Sequence, residues 1–214
     1  GEIKLIRDSM RLSKRVLERV MASVKPRVSE KSIAGKIEAA FLESGARQAF
    51  DPIVAAGSNS SKPHAMPSGR KIGKNGVVMI DMGCVLKRYN SDITRMVMIG
   101  KIKPRILKMY KVVQVAQALA LEAIKPGARI AEIDAAARRY IRSKGFGEYF
   151  GHALGHGVGL EVHEKPTISG MNEGVLRAGM VFTVEPAIYI PKLGGVRIED
   201  MVLVTDKGCE ILSR

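Results

Sequence analysis

The stretch VVMIDMGCVLKRYNSDITRMVMIG, residues 77–100, contains two apolar runs that predict β-strands, and each run has an aspartate at one end. Asp81 ends the first run, and Asp92 begins the second. A carboxylate beside hydrophobic residues is costly to bury unless a positive charge compensates it. Because two such carboxylates on neighbouring strands also repel each other, the pattern favours a bound cation.

The same arrangement recurs near the end of the chain. The runs MVFTVEP (180–186) and GVRIEDMVLV (195–204) predict strands that contain Glu185 and Glu199. A single acid of this kind is usually a structural ion-pair partner, whereas four together favour a metal site. Four negative charges exceed what one divalent ion neutralises, so the pattern favours two ions, which can hold a water and polarise a carbonyl.

Histidines give a second indication of a site. His64 lies in KPHAMPS, and the other three lie within twelve residues in FGHALGHGVGLEVHEKP: His152, His156 and His163. A lone histidine is usually a core or surface residue, but a cluster among glycines that permit close backbone approach favours a site. Carboxylates with an imidazole suit Mn²⁺, Co²⁺, Fe²⁺ or Zn²⁺, and two cysteines are too few for an all-thiolate centre.

Helical patterns alternate with these strands and repeat along the chain. Helices are predicted over 2–23, from Ser29 to Gly45, from Pro104 to about Ile124, and from Ala131 to Lys144. The Lys-Pro pair at 25–26 recurs 100 residues later, as do the residue types at 33, 45 and 50. This repeat predicts two similar α+β halves of one domain, each donating carboxylates to a shared centre.

Composition limits the partners. The 214 residues have a net charge of +14, but the basic residues are scattered and Trp is absent, so no specific nucleic-acid partner is expected. No apolar stretch reaches the roughly 20 residues of a membrane helix, so no membrane partner is expected either. The two cysteines form no disulfide framework, which favours a cytoplasmic protein. For Cys84, packing near a strand end is favoured over a metal-ligand role.

Five stretches together resemble the Xaa-Pro aminopeptidase and prolidase family. They are FDPIVAAGSNSSKPHAMPS (50–68), VVMIDMGCVLKRYNSDITR (77–95), FGHALGHGVGLEVHE (150–164), MVFTVEPAIYI (180–190) and GGVRIEDMVLV (194–204). The resemblance implies the α+β pita-bread fold, with two pseudo-symmetric halves around a dinuclear centre. It implies that Asp81 binds one metal, that His156 and Glu185 bind the other, and that Asp92 and Glu199 bridge both. Mn²⁺ or Co²⁺ is the expected pair, with Zn²⁺ or Fe²⁺ as alternatives.

The resemblance also implies roles for the residues around the metals. Glu185 would be the general base for a water bridged by both metals. His163 and His64 would hydrogen-bond the substrate and the developing oxyanion, and His152 would shape the pocket for the proline ring. The glycines of 155–159 would leave room for that ring. Arg197, two positions before Glu199 and so expected on the same strand face, would brace the site through a carboxylate ligand.

The expected activity is hydrolysis of the bond between an N-terminal residue and proline, in Xaa-Pro peptides or dipeptides. Residues 1–214 are expected to form a single catalytic domain without the accessory N-terminal domain usual in the family, which leaves a homodimer as one option for the assembly. Arg88, where a small residue is typical, is a second departure. Two alternatives stay open: methionine aminopeptidase activity, disfavoured by GGVRIED and KPHAMPS, and a non-catalytic binding module, disfavoured by the intact set of five ligands.

Overall fold

The structure, a computed structural model, describes all of residues 1–214 and contains four α-helices. They are α1 (Glu2–Met21), α2 (Glu30–Glu43), α3 (Pro104–Glu122) and α4 (Ile130–Ser143). Ser29 caps α2 by accepting a hydrogen bond from the Ser32 backbone, and Pro104 occupies the first turn of α3. The four predicted helices are thus confirmed, with ends that shift by at most two residues. None of them combines the length and apolar character needed to cross a bilayer.

Thirteen short strands form the sheets. They are β1 (Arg47–Gln48), β2 (Ile53–Ala56), β3 (Gly76–Met82), β4 (Cys84–Leu86), β5 (Tyr89–Asn90), β6 (Ile93–Ile99), β7 (Gly155–Gly157), β8 (Glu164–Ile168), β9 (Val181–Val184), β10 (Ala187–Ile190), β11 (Gly194–Arg197), β12 (Asp200–Val204) and β13 (Cys209–Ile211). Strands β2, β3 and β6 make one antiparallel sheet, and β13, β12, β9, β7 and β8 make another in that order. There are two smaller sheets, β1-β4-β5 and β10-β11.

The central strands are buried on both faces. Along β3, Val78 and Ile80 pack into a core with α1 and α2, whereas Val77 and Met79 pack into a second core with α3 and α4. The strand β12 alternates between the same two cores. Because successive side chains of a strand point to opposite faces, a strand between two helix pairs needs apolar residues at every position. This explains the unbroken apolar runs of the sequence.

The two halves repeat in structure as well as in sequence. Helices α2 and α4 occupy ranges exactly offset by 100 residues, and each is preceded by an isolated β-bridge, Ser29 to Lys71 and Arg129 to Val175. Each helix is followed by a glycine in the left-handed region, Gly45 at φ 70° and Gly145 at φ 81°. The predicted pair of similar α+β halves is therefore confirmed.

The predicted strand over 195–204 is wrong in one respect, because two residues interrupt it. β11 ends at Arg197 and pairs with β10, whereas β12 begins at Asp200 and pairs with β9. The predicted strand over 180–186 likewise ends at Val184, before the chain enters β10. Glu185 and Glu199 thus lie where the chain passes between two sheets. Periodicity does not reveal these breaks, because buried apolar residues continue through them.

Alanine substitutions at glycines test the helix ends. Gly45→Ala and Gly145→Ala should each lower the free energy of unfolding by roughly 1–2 kcal/mol, because a Cβ is strained at positive φ and nothing else lies near it. Gly35→Ala, in the exposed middle of α2, is the control and should raise stability by about 0.5–1 kcal/mol. Urea denaturation measures all three. A stabilised Gly145→Ala would contradict the left-handed assignment.

Candidate metal centre

The ends of the central strands bring five side chains from both halves to one cavity. Asp81 lies near the end of β3, Asp92 directly precedes β6, and His156 lies in β7. The two glutamates occupy the breaks described above. All five line a cavity of about 700 Å³ together with the other three histidines and Arg197. The structure therefore brings together every site residue that the sequence indicated, and their individual roles stay predictions.

Distances within part of the cluster suit a shared metal ion. The His156 Nε2 atom lies 3.3 Å from Glu185 Oε1 and 3.7 Å from Asp92 Oδ2. One ligand atom from each of Asp92, His156 and Glu199 lies within 4.8 Å of the others. The other imidazole nitrogen of His156, Nδ1, is 3.1 Å from the carbonyl oxygen of Gly157 and so carries the proton. This bond turns Nε2 towards the carboxylates. Although burial acts in the opposite direction, the hydrogen bond between Nε2 and Glu185 raises the pKa of His156 in the metal-free protein.

Two oxygens of the cluster test whether the residues suit a metal. Oδ1 of Asp81 and Oδ1 of Asp92 are both buried, and neither has a hydrogen-bond partner. Buried carboxylate oxygens normally accept hydrogen bonds or bind cations, because leaving them without either is costly. Oxygen donors with one imidazole nitrogen are the ligands that borderline divalent ions prefer. The residues therefore fit one or more divalent cations.

Burial and mutual repulsion together determine the electrostatics of the cluster. Burial, followed by the charges of neighbouring carboxylates, raises the pKa of both Asp92 and Glu199 well above the ordinary range. Burial also raises the pKa of Asp81, although Arg197 opposes the shift. Burial acts in the same direction on Glu185, but the hydrogen bond with His156 and nearby positive charge outweigh it and lower its pKa. Glu185 is consequently ionised at neutral pH.

Arg197 is buried behind the cluster and holds several of its members. Its guanidinium donates hydrogen bonds to Asp81 Oδ2, to the Tyr189 hydroxyl at 2.6 Å and to Thr94 Oγ1 at 3.1 Å. Thr94 in turn donates to Glu199 Oε2 at 2.6 Å. The expected contact between Arg197 and a carboxylate is present, but the reason given for it was wrong. Arg197 ends β11, and Glu199 is not on that strand.

His152 lies beside this network at the wall of the cavity. Its Nδ1 is 2.7 Å from the carbonyl oxygen of Ala153, and its Nε2 is 3.2 Å from the Tyr189 hydroxyl. Because the carbonyl only accepts, Nδ1 carries the proton and Nε2 accepts from Tyr189. Burial lowers the pKa of His152, which favours this neutral tautomer. Arg197, Tyr189 and His152 thus form a directed chain of hydrogen bonds.

His163 and His64 are exposed at the mouth of the cavity. The ring of His163 lies 4.3 Å from the ring of His156, centroid to centroid. Burial and the neighbouring His156 lower the pKa of His163. Both exposed rings are free to meet a molecule that enters, together with the cavity-lining side chains of Phe50 and Ile53.

The glycines of 155–159 have a different use from the expected one. A Cβ at Gly155 would overlap the carbonyl oxygen of Thr183, and a Cβ at Gly157 would overlap that of Lys165. The predicted close backbone approach is confirmed, but neighbouring backbone occupies the space, so these glycines leave no room for a proline ring. They allow β7 to lie against β8 and β9, which places His156 among the carboxylates.

Sequence reasoning missed three residues that hold the site. Thr94, Thr183 and Tyr189 are buried, and Thr183 donates to Glu185 Oε1 at 3.1 Å. Thr94 faces Asp81 in the register of β3 and β6. A hydroxyl inside the otherwise apolar strand β9 was the available signal for Thr183. No signal distinguished Tyr189 from an ordinary core tyrosine.

The fold and this cluster define a class of α+β protein with a candidate metal site between two pseudo-symmetric halves. The chain belongs to metallopeptidase family M24, whose model matches residues 4–206. This membership implies divalent metal ions and confirms the resemblance read from the motifs.

Relatives and solved structures agree with the family. The Xaa-Pro dipeptidase of Pyrococcus horikoshii is 43% identical over 214 residues, which are 100% of this chain and 61% of that protein. The prolidase structure from Pyrococcus furiosus has a TM-score of 0.97 at 43% identity and is covered over 64% of its length. The X-Pro aminopeptidase structure from Thermotoga maritima has a TM-score of 0.97 at 41% identity and is covered over 61%. Each structural match covers 100% of this chain, which confirms the pita-bread fold. The chain thus spans about three fifths of these relatives.

The raised pKa values of these buried acids make the stability of the metal-free protein depend on pH. Because the pKa values of Asp92 and Glu199 are higher in the folded protein than in the unfolded chain, the folded protein binds more protons. Its stability should therefore fall as pH rises above about 4. Asp92→Asn removes one titrating acid and should raise the melting temperature of chelator-treated protein at pH 8, with little difference at pH 4.

The control for this experiment is Asp206→Asn, which makes the same replacement at an exposed aspartate. It should leave the melting temperature of the metal-free protein nearly unchanged at both pH values. A lower melting temperature of Asp92→Asn at pH 8 would contradict the conclusion that burial and repulsion make the ionised cluster destabilising.

Proposed function

We propose that this chain is the catalytic domain of a metal-dependent exopeptidase that hydrolyses the bond between an N-terminal residue and proline. The observation that carries the proposal is the convergence of four carboxylates and one imidazole on a cavity, with two buried carboxylate oxygens left unpaired. The names of the relatives, Xaa-Pro dipeptidase, prolidase and X-Pro aminopeptidase, support the substrate class.

Asp81 would hold one ion, and His156 and Glu185 would hold the other. Asp92 and Glu199 would contact both ions. The proposed metal is Mn²⁺ or Co²⁺. Bound there, two divalent ions would activate a water and polarise the scissile carbonyl. Glu185 has the properties of the general base, because it is ionised and partly exposed to the cavity. Its carboxylate would take a proton from the attacking water and pass it to the departing proline nitrogen.

The histidines at the mouth would act on the substrate. His163 and His64 are exposed side chains with N–H groups that can donate to a peptide carbonyl as negative charge develops on its oxygen. His152 stays neutral and fixed by Tyr189, so it presents an uncharged ring to the substrate. Arg197 keeps Asp81 in place. These roles would let the chain bind, orient and protonate a short peptide.

Residues 1–214 are proposed to act as one domain, because each half supplies ligands that the other lacks. Asp81 and Asp92 come from the first half, and the other three ligands come from the second. A cytoplasmic location is proposed from the two free cysteines, Cys84 and Cys209. A homodimer is the proposed option for the assembly.

Peptides that differ only at the second residue test the proposed specificity. Most aminopeptidases reject proline there, because its amide has no N–H and its ring fixes φ. Met-Pro-Ser should be cleaved far faster than Met-Ala-Ser in Mn²⁺ or Co²⁺, and a chelator should abolish both reactions. Release of methionine measures the rates. Equal rates would favour methionine aminopeptidase activity, and no cleavage with any metal would favour a binding module.

His163→Ala tests the contact with the developing oxyanion. We expect kcat for Ala-Pro peptides to fall by about 10²-fold or more, because the lost hydrogen bond strengthens in the transition state. His163→Gln, which keeps a side-chain N–H, should recover part of the loss. A change in KM with kcat intact would assign His163 to ground-state binding instead.

A further inference from the structure

Gln117 is a buried polar residue on the core-facing side of α3, and its side chain reaches the two segments that contain the glutamate ligands. Its Nε2 donates to the carbonyl oxygen of Val184 at 3.1 Å and to the carbonyl oxygen of Ile198 at 3.2 Å. Val184 directly precedes Glu185, and Ile198 directly precedes Glu199. Since both partners are carbonyls, only the NH₂ end of the amide can face them.

These two carbonyls lie at the breaks between sheets. β9 ends at Val184 and the chain enters β10, while Ile198 separates β11 from β12. The two segments pair with each other on either side of the break, Val184 with Asp200 and Ala187 with Arg197. Between these pairs only one long backbone hydrogen bond joins them, from the Ile198 N–H to the Pro186 carbonyl oxygen at 3.5 Å. Both N–H groups of one amide supply hydrogen bonds there, so one side chain links the backbones on which the two glutamates are mounted.

In the first half, serine hydroxyls make a comparable contact between a helix and a ligand-bearing segment. Ser13, on α1, has its Oγ 2.8 Å from Ser91 Oγ, and Ser9 approaches the same hydroxyl at 3.1 Å. Ser91 directly precedes Asp92 and also accepts from the Cys84 backbone at 3.1 Å. In each half, therefore, a buried polar side chain on the first helix, α1 or α3, contacts a segment between two strands that contains a carboxylate ligand.

We propose that Gln117 is a positioning residue that fixes the separation of Glu185 and Glu199. The proposal rests on the proposed function, since the spacing matters only if both glutamates bind metal. Gln117 touches neither substrate nor metal in this account. Removing its N–H groups would free two buried carbonyls and let the glutamate segments move apart, which weakens a site that needs both carboxylates at once.

Gln117→Met tests this, because methionine has a similar length but no N–H. Isothermal titration with Mn²⁺ should show metal affinity weakened by about 10- to 100-fold. kcat for an Ala-Pro peptide at saturating metal should also fall. Two controls lie on the same helix: Gln114→Met, an exposed position, and Met109→Ala, which destabilises the same core. Both should bind Mn²⁺ with nearly wild-type affinity, although Met109→Ala lowers the melting temperature.

The outcomes separate this inference from the proposed function. If wild-type protein binds no Mn²⁺ and cuts no Xaa-Pro peptide, the proposed function fails and the inference fails with it. If wild-type protein does both but Gln117→Met keeps wild-type affinity, or loses no more than Met109→Ala, only the positioning role is overturned. If Gln117→Met does not fold, Gln117→Asn serves instead, because its side chain is one methylene shorter and its N–H groups lie farther from the two carbonyls. Gln117→Asn should also weaken Mn²⁺ binding. Unchanged affinity would overturn the inference.

Discussion

The burial of four mutually repelling carboxylates in one cavity is the constraint on which the rest of this structure depends. Asp81, Asp92 and Glu199 are buried, and Glu185 is nearly so. A folded chain keeps such acids together only if positive charge compensates them or if they give up ionisation. Arg197 compensates part of the charge at Asp81, and divalent ions are the natural partner for the remainder.

The fold meets this constraint by placing the acids on strands that are packed between two hydrophobic cores. Strands β3 and β12 are covered by helices on both faces, so the backbone next to Asp81 and Glu199 is held by two cores. Polar residues behind the cluster then fix what the sheets leave free. Arg95 binds the buried Asp200 at 2.6 Å, beside Glu199. Thr94 and Gln117 hold the same segment from other directions. The site is thus supported by contacts that become visible only when the halves are packed together.

The division between what was predictable and what was not follows the range of the interactions. The acids that end apolar runs were identifiable, because burying a charge beside valine and isoleucine is costly at any such position. The α2/α4 repeat was identifiable from residues 100 apart. The break after Arg197 was not, because Ile198 is as apolar as a strand residue. Nothing in the sequence pattern shows that Arg197 pairs with β10 whereas Asp200 pairs with β9. Gln117 was not identifiable either, since its partners lie 67 and 81 residues away.

Anomalous diffraction from crystals of the Mn²⁺-loaded protein tests the central claim most directly, because it locates each ion without assuming a model of the site. The account predicts two anomalous peaks in the cavity, both beside Asp92 and Glu199. One of them should adjoin Asp81, and the other should adjoin His156 and Glu185. A single peak in fully active protein would contradict the two-ion centre. Peaks remote from these five side chains would contradict the claim that repulsion among the buried acids is relieved by metal.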